Sequence, residues 1–148
     1  MTPQPIELLQ TLVRIDSTTP GLLRGPDGRE GGELPLARWL EKYLSAAGYA
    51  VELQFVTPAR PNLLARLDAH PGAPTLAFEA HMDTVGVEGM AIPPFAAEVR
   101  DGRLYGRGAC DTKGSMAAML AALRRLRTPQ RPLNLMFIAS CAEETGCE

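Results

Sequence analysis

The chain has 148 residues, of which 45% are hydrophobic and 22% charged, and its formal net charge at neutral pH is -2. This length and composition are typical of about one soluble globular domain. The small net charge gives no electrostatic basis for binding nucleic acid or an anionic membrane, and no apolar run approaches the roughly 20 residues of a bilayer-spanning helix.

The N-terminal stretch MTPQPIELLQ has no basic segment followed by an apolar block. It therefore predicts no signal peptide and a cytoplasmic location. The cysteines, Cys110, Cys141 and Cys147, are odd in number and show no CxxC spacing. They are expected to be reduced thiols rather than a disulfide framework or a thiolate zinc site.

Predicted helices and strands alternate along the chain. The apolar periodicity predicts amphipathic helices over residues 3–15, 33–47 and 112–127, the second of them ended by Gly48. The turn-forming segment DSTTPG and a glycine-rich polar loop over 22–32 separate the first two helices. Period-two alternation and short apolar runs predict strands over 49–56, 62–68, 75–83 and 132–140, and Asp101-Gly102 predicts a hairpin turn. This order indicates an α/β sandwich with a mixed sheet.

His81 and Asp83 stand at the end of the apolar stretch LAFEAHMDTV. Residues two apart on a strand project from the same face, so the two side chains are expected to be neighbours. An imidazole that binds a metal usually donates its other N–H to a carboxylate or carbonyl, and an HxD pair suits that arrangement. The alternative is a surface loop pair without a ligand.

Asp111 lies in the glycine-rich segment YGRGACDTKGSMAAM, just before a predicted helix. The segment is not a P-loop, because Lys113-Gly114-Ser115 has the wrong order, and it lacks the third glycine of a dinucleotide-binding fingerprint. A nucleotide-binding module is disfavoured for the same reason. The simplest alternative is that Asp111 only caps the helix, since aspartate is a favoured N-cap residue.

Glu143 and Glu144 follow the apolar strand FIAS. In extended chain, adjacent side chains point to opposite sides, so one carboxylate could bind a metal while the other faces a substrate. An ordinary acidic turn is the alternative. Taken together, the three segments put a histidine and carboxylates at strand ends and a helix start, where α/β sheets bind ligands. Histidine and carboxylates without thiolates fit catalytic zinc, or cobalt or manganese, and one bridging carboxylate would allow two ions.

The motifs AHMDTV, YGRGACDTKGSMAAML and AEETG, in this order, resemble the zinc-dependent aminoacylase, acetylornithine deacetylase, succinyl-diaminopimelate desuccinylase and carboxypeptidase G family. The segments VRIDSTTPG and PPF are similar to it as well, so the resemblance covers essentially the whole chain. It implies a zinc-exopeptidase-like three-layer α/β sandwich with a mixed, mostly parallel sheet, here incomplete.

The resemblance also implies a role for each candidate residue. His81 and Glu144 would each ligate one of two zinc ions (cobalt or manganese being possible), and Asp111 would bridge them. Asp83 would orient His81, and Glu143 would be the general base. A cis peptide bond is expected at Asp111–Thr112.

The implied function is a cytoplasmic metal-dependent hydrolase that cleaves the amide bond of N-acyl amino acids or small peptides, as in amino-acid biosynthesis. Members of the family are longer, and they supply one further acidic ligand, one further histidine and a lid or dimerisation domain. Residues 1–148 are thus expected to be the N-terminal portion of the catalytic domain, and homodimer formation is an expectation for the longer protein. The alternative is a truncated, catalytically inactive fragment. His70, the other histidine, is predicted to be exposed in a loop.

Overall fold

The computed structural model describes residues 4–19 and 32–146, which form one α/β unit. Its elements in chain order are α1 (Pro5–Arg14), α2 (Leu34–Ala46), β1 (Ala50–Thr57), β2 (Arg60–Leu67), β3 (Thr75–His81), β4 (Glu98–Arg100), β5 (Arg103–Tyr105), α3 (Lys113–Leu126), β6 (Asn134–Ser140) and a short 3-10 helix (Glu143–Thr145). Every helix and strand predicted from the sequence is present. The predicted loop over 22–32 lies outside the described residues, except for Gly32.

Local sequence signals account for the ends of the first two helices. Pro5 occupies the first turn of α1, and the Glu7 carboxylate accepts a hydrogen bond from the Gln4 backbone N–H at 2.9 Å. This contact satisfies one of the amides that a helix start leaves free. Gly48 follows α2 with a φ of +87°, a left-handed conformation that glycine adopts without steric cost.

The main sheet has the strand order β1-β2-β6-β3. Strand β2 pairs antiparallel with both β1 and β6, whereas β3 pairs parallel with β6. The sheet is mixed, as predicted, but the expectation of mostly parallel pairing is wrong for these strands. Only Pro58 and Ala59 separate β1 from β2, and so short a connection joins antiparallel neighbours.

One hydrophobic core lies between the sheet and the three helices. Side chains of β2 and β6 alternate, so that Leu63, Ala65 and Phe137 are fully buried under the helices. Leu64 and Met136, whose side chains point to the other face, are only partly buried. The described residues therefore show two of the three predicted layers, with helices on one face. The largest fully buried core side chains are Leu12, Leu36, Leu40, Leu44, Leu63, Met82, Met116, Leu120, Leu123, Leu135 and Phe137.

The parallel pair β3 and β6 ends at one edge of the sheet, where His81 lies opposite Ser140. The connection between these strands contains the β4–β5 hairpin, turned at Asp101-Gly102 as predicted, and then α3. This crossover brings the start of α3 back to the edge where β3 and β6 end. The topology thus gathers three sequence-distant segments at the edge where ligands bind in α/β sheets.

Several smaller predictions can be compared with the structure. His70 is exposed in a turn, as predicted. Cys110 and Cys141 are free thiols, as predicted, and Cys147 lies outside the described residues. None of the helices in the described part of the chain combines the length and the apolarity that a membrane crossing requires.

Candidate metal centre

His81 is the last residue of β3, and its side chain is only 12% exposed. Its Nδ1 atom lies 3.0 Å from the backbone carbonyl oxygen of Asp83 and 3.5 Å from Asp83 Oδ1. The carbonyl is the shorter contact, whereas the sequence suggested the carboxylate as the orienting group. Both acceptors favour the tautomer with the proton on Nδ1, which leaves the Nε2 lone pair available to a ligand.

Asp111 lies across from His81, with its Oδ1 atom 3.1 Å from His81 Nε2. Its carboxylate is 79% exposed. The peptide bond between Asp111 and Thr112 is cis, as the resemblance implies. Thr112, and not Asp111, is the N-cap residue of α3. The arrangement therefore differs from the capping alternative, because the Asp111 side chain turns towards His81.

Glu143 and Glu144 begin the short 3-10 helix after β6. The expectation that they lie in extended chain is therefore wrong, because Ala142 adopts a left-handed conformation with a φ of +66° and turns the chain. The two side chains still differ in environment. That of Glu143 is 56% exposed, and Glu144 is partly buried.

The three predicted metal ligands meet at this edge of the sheet. One donor atom from each of His81, Asp111 and Glu144 lies within 4.8 Å of the other two. Glu143 is adjacent, with its Oε2 atom 4.0 Å from His81 Nε2. All of the predicted site residues are thus in one place, although they come from segments about thirty residues apart along the chain.

The cluster has more carboxylates than cationic groups, and a bound cation would offset this negative charge. Burial, and then the negative charge of Asp111, raise the pKa of Glu144 above its usual value. Burial lowers the pKa of His81, but its hydrogen bonds to Asp111 and Asp83, with the charges of Asp83 and Glu143, outweigh that effect and raise it. Carboxylates held so close favour a bound cation. One imidazole nitrogen and carboxylate oxygens are ligands that zinc and its relatives accept, so the donor set fits the predicted ion.

Asp83 is fully buried behind the cluster and supports the acidic turn. Its Oδ1 atom accepts the backbone N–H of Glu143 at 3.1 Å, and its Oδ2 atom accepts that of Glu144 at 3.0 Å. The Thr19 hydroxyl donates to the same carboxylate at 3.3 Å. Asp83 therefore connects the histidine at the end of β3 to both glutamates.

Three further residues around the site were not predicted from the sequence. Glu33 and Arg60 form a buried ion pair behind Asp83, and Lys113, also buried, donates from Nζ to the Ile15 carbonyl at 2.7 Å. Burial lowers the pKa of Lys113 to about 8. Glu33 and Lys113 stand at helix starts and Arg60 at a strand start, where charged side chains are usually exposed. Their burial therefore could not be predicted from the neighbouring sequence.

A cleft of about 250 Å³ opens beside the cluster. Asp111 and Glu144 form one side of it, and the glycine-rich segment from Gly106 to Cys110 forms another. Gly108 is buried with a φ of +74°, and a Cβ atom there would lie 2.7 Å from Thr84 Cγ2. The glycine lets this segment pass close to the strand end, which leaves space for a small substrate next to the carboxylates.

Sequence comparison matches residues 77–148 to the family model described as Peptidase family M20/M25/M40. Succinyl-diaminopimelate desuccinylases from Parvibaculum lavamentivorans and Methylorubrum extorquens are 39% and 41% identical over 129 and 135 residues. The alignments cover 82% and 86% of this chain, but 29% and 32% of the two relatives. The chain thus spans about a third of the length of the curated relatives it matches.

Solved structures share the fold. An M20 family metallo-carboxypeptidase from Sulfolobus solfataricus superposes with a TM-score of 0.79 at 23% identity, covering 97% of this chain and 32% of that one. Human carnosine dipeptidase 1 gives a TM-score of 0.74 at 28% identity, covering 95% and 32%. A Bacillus subtilis protein described as a dinuclear metal binding peptidase from the M20 family gives 0.59 at 18% identity, covering 95% and 35%.

Proposed function

Since this chain belongs to peptidase family M20/M25/M40, we propose that it is the N-terminal portion of the catalytic domain of a metal-dependent amide hydrolase. The substrates would be N-acyl amino acids or small peptides, and succinyl-diaminopimelate is the first candidate because the two curated relatives described above are named for it. The observation that carries the proposal is the convergence of His81, Asp111 and Glu144 donor atoms within 4.8 Å.

His81, Asp111 and Glu144 would hold the metal, for which we propose zinc, with cobalt or manganese as substitutes. When bound, such an ion polarises a carbonyl group and brings the pKa of a bound water to about 7. The 3.1 Å contact of Asp111 with His81 and its position near Glu144 support the proposal that Asp111 would be a ligand shared by two ions. The remaining ligands and the lid domain would come from other parts of the longer protein.

Glu143 is the group proposed to move the proton. It would take a proton from a water molecule as the water oxygen bonds to the amide carbonyl carbon, and it would then give that proton to the leaving nitrogen. The carbon–nitrogen bond breaks, and the products are a carboxylate and a free amine. Its exposed carboxylate, 4.0 Å from His81 Nε2, is near enough to the cluster for this role and is open to solvent.

The test is a substitution of Glu143 in the full-length protein. Glu143→Ala should lower kcat by about 100-fold or more, because general-base catalysis contributes roughly 10²–10⁴-fold, and the metal content should stay unchanged. Glu98→Ala, at an exposed glutamate in β4, is the control. A panel of succinyl-diaminopimelate, acetylornithine, other N-acetyl amino acids and dipeptides identifies the substrate. Full activity of Glu143→Ala, or no hydrolysis of any panel member, would reject the proposal.

A second candidate is that the 148-residue chain alone is catalytically inactive. It is favoured by the site itself, because the cluster in the described residues offers three ligands, fewer than two zinc ions require. Assay of the isolated chain beside the full-length protein separates the two. Cytoplasmic location and homodimer formation stay predictions.

A further inference from the structure

We propose that Glu33 and Arg60 are positioning residues that hold the Glu143–Glu144 turn from behind, an inference that rests on the proposed amide hydrolase function. Neither residue belongs to the segments that carry the predicted site. Glu33 immediately precedes α2, and Arg60 is the first residue of β2. Both lie on the inner side of the turn and do not contact the cluster of metal-binding donors.

The two side chains form a forked ion pair away from solvent. Arg60 Nε lies 3.1 Å from both carboxylate oxygens of Glu33, and Arg60 Nη2 lies 2.8 Å from Oε1. The Glu33 side chain is 0% exposed and that of Arg60 15%. The same Nη2 atom lies 3.7 Å from Asp83 Oδ2. The guanidinium thus forms a bidentate hydrogen-bonded pair with Glu33 and a longer charge contact with Asp83, an arrangement that its planar fork suits.

These two carboxylates accept three consecutive backbone N–H groups of the acidic turn. Glu33 Oε1 accepts the N–H of Ala142 at 3.1 Å, and Asp83 accepts those of Glu143 and Glu144 at 3.1 and 3.0 Å. Arg60 hydrogen-bonds one of these acceptors, Glu33, and lies at ion-pair distance from the other, Asp83. Glu33, Arg60 and Asp83 therefore set the direction in which the two glutamate side chains leave the backbone. These three residues lie behind the turn, away from the cleft.

The position of the acidic turn matters for catalysis as well as its charge. Ala142 adopts a left-handed conformation, which a non-glycine residue keeps only where its surroundings enforce it. The Ala142 N–H donates to Glu33, and the Ala142 carbonyl oxygen accepts the N–H and the hydroxyl of Thr145. A displacement of about 1 Å in a reacting group can cost on the order of 100-fold in rate. Loss of the fork should therefore change turnover before it changes substrate binding.

Arg60→Lys in the full-length protein is the first test, with Arg66→Lys as the matched control. Arg66 is on the same strand in an exposed ion pair with Asp68. Lysine keeps the charge at position 60 but cannot bind two carboxylates as a fork. We expect kcat to fall about 10- to 100-fold with KM within threefold of the original, while Arg66→Lys changes neither. Glu33→Gln should act in the same direction, with Glu98→Gln, at an exposed glutamate of β4, as its control.

If Arg60→Lys only lowers the melting temperature, with kcat per bound metal unchanged, the residue is merely structural and the proposal is overturned. Amide hydrogen exchange of the unmutated protein provides a test that needs neither folding of a variant nor activity. The N–H groups of Ala142, Glu143 and Glu144 should exchange about 100-fold or more slowly than in an unstructured chain. Unprotected exchange at these amides would overturn the anchoring.

The exchange measurement also separates this inference from the proposed function. If no substrate is hydrolysed but the three amides are protected and lose protection in Glu33→Gln, the hydrolase proposal fails while the anchoring of the turn holds. If hydrolysis is observed but the amides are unprotected, the converse applies, and the positioning role is refuted.

Discussion

Asp83→Asn tests how much the buried Asp83 carboxylate contributes to stability and to metal affinity. The substitution keeps the shape of the side chain but replaces one carboxylate oxygen by an NH₂ group and removes the charge. In the structure, Oδ1 and Oδ2 each accept a different backbone N–H, from Glu143 and Glu144. An amide offers a single oxygen, so one of these N–H groups must face a donor.

The magnitude follows from those contacts. A hydrogen bond to a charged acceptor contributes about 1.5–3 kcal/mol, and leaving a buried donor unsatisfied adds a similar cost. Arg60 retains Glu33 as its partner, so no unpaired buried cation adds to the loss. We expect a decrease of about 3 kcal/mol in the free energy of unfolding. Metal affinity should fall about 10- to 100-fold, as for other residues that orient ligands.

Urea unfolding of the metal-free protein measures the first quantity, and titration with Zn²⁺ measures the second. Asp68→Asn is the matched control, because Asp68 is exposed in its pair with Arg66, and surface pairs contribute about 0–1 kcal/mol. If Asp83→Asn stays within 1 kcal/mol of Asp68→Asn and binds zinc with unchanged affinity, the role assigned to this carboxylate is refuted.

Other consequences can be measured independently. Gly108→Ala should lower the free energy of unfolding by about 2–4 kcal/mol, because the new Cβ atom would clash with Thr84 and position 108 has a positive φ. Gly102→Ala, at a similar φ but with open space around it, should lower it by only about 1 kcal/mol in the same urea assay. Equal costs for the two variants would contradict the clash with Thr84. Burial raises the pKa of Tyr49 to about 12, above the value of 10 in the unfolded chain. The contribution of Tyr49 to folding stability is therefore fully present below pH 10 and is lost as the pH rises towards 12. The stability of the original protein relative to Tyr49→Phe should fall by about 2 kcal/mol over that window, and a pH-independent difference would refute this. Dialysis against a chelator should abolish turnover, and Zn²⁺ should restore it; activity that survives removal of all metal would exclude the mechanism.

The local periodicities were sufficient to predict the elements, because each helix and strand has a continuous apolar stripe or alternation. The hairpin at Asp101-Gly102 was predictable because Asp-Gly is a preferred sequence for turns in which both central residues have a positive φ, as they do here. The direction of strand pairing was less accessible. It depends on the two-residue connection at Pro58 and Ala59 and on which strand takes the place beside β6, and neither can be read from hydrophobic pattern alone.

The members of the candidate site were predictable because the segments that carry them have a distinctive order and follow apolar strands. The residues behind them were not. A sequence pattern assigns the charged side chains of Glu33, Arg60 and Lys113 to the surface. Their burial depends on partners that are distant along the chain: Glu33 contacts Ala142, and Lys113 contacts Ile15, each more than 50 residues away. The left-handed conformation of Ala142 could not be predicted either, because alanine rarely adopts a positive φ.

The most direct test of the metal centre is an anomalous difference map from crystals of the full-length protein, collected at the zinc edge. We predict a peak bonded to His81 Nε2 and to a carboxylate oxygen of Asp111 and of Glu144, at distances of about 2.0–2.2 Å. A zinc-saturated crystal with no peak among these three side chains, or with zinc bound elsewhere, would contradict the account.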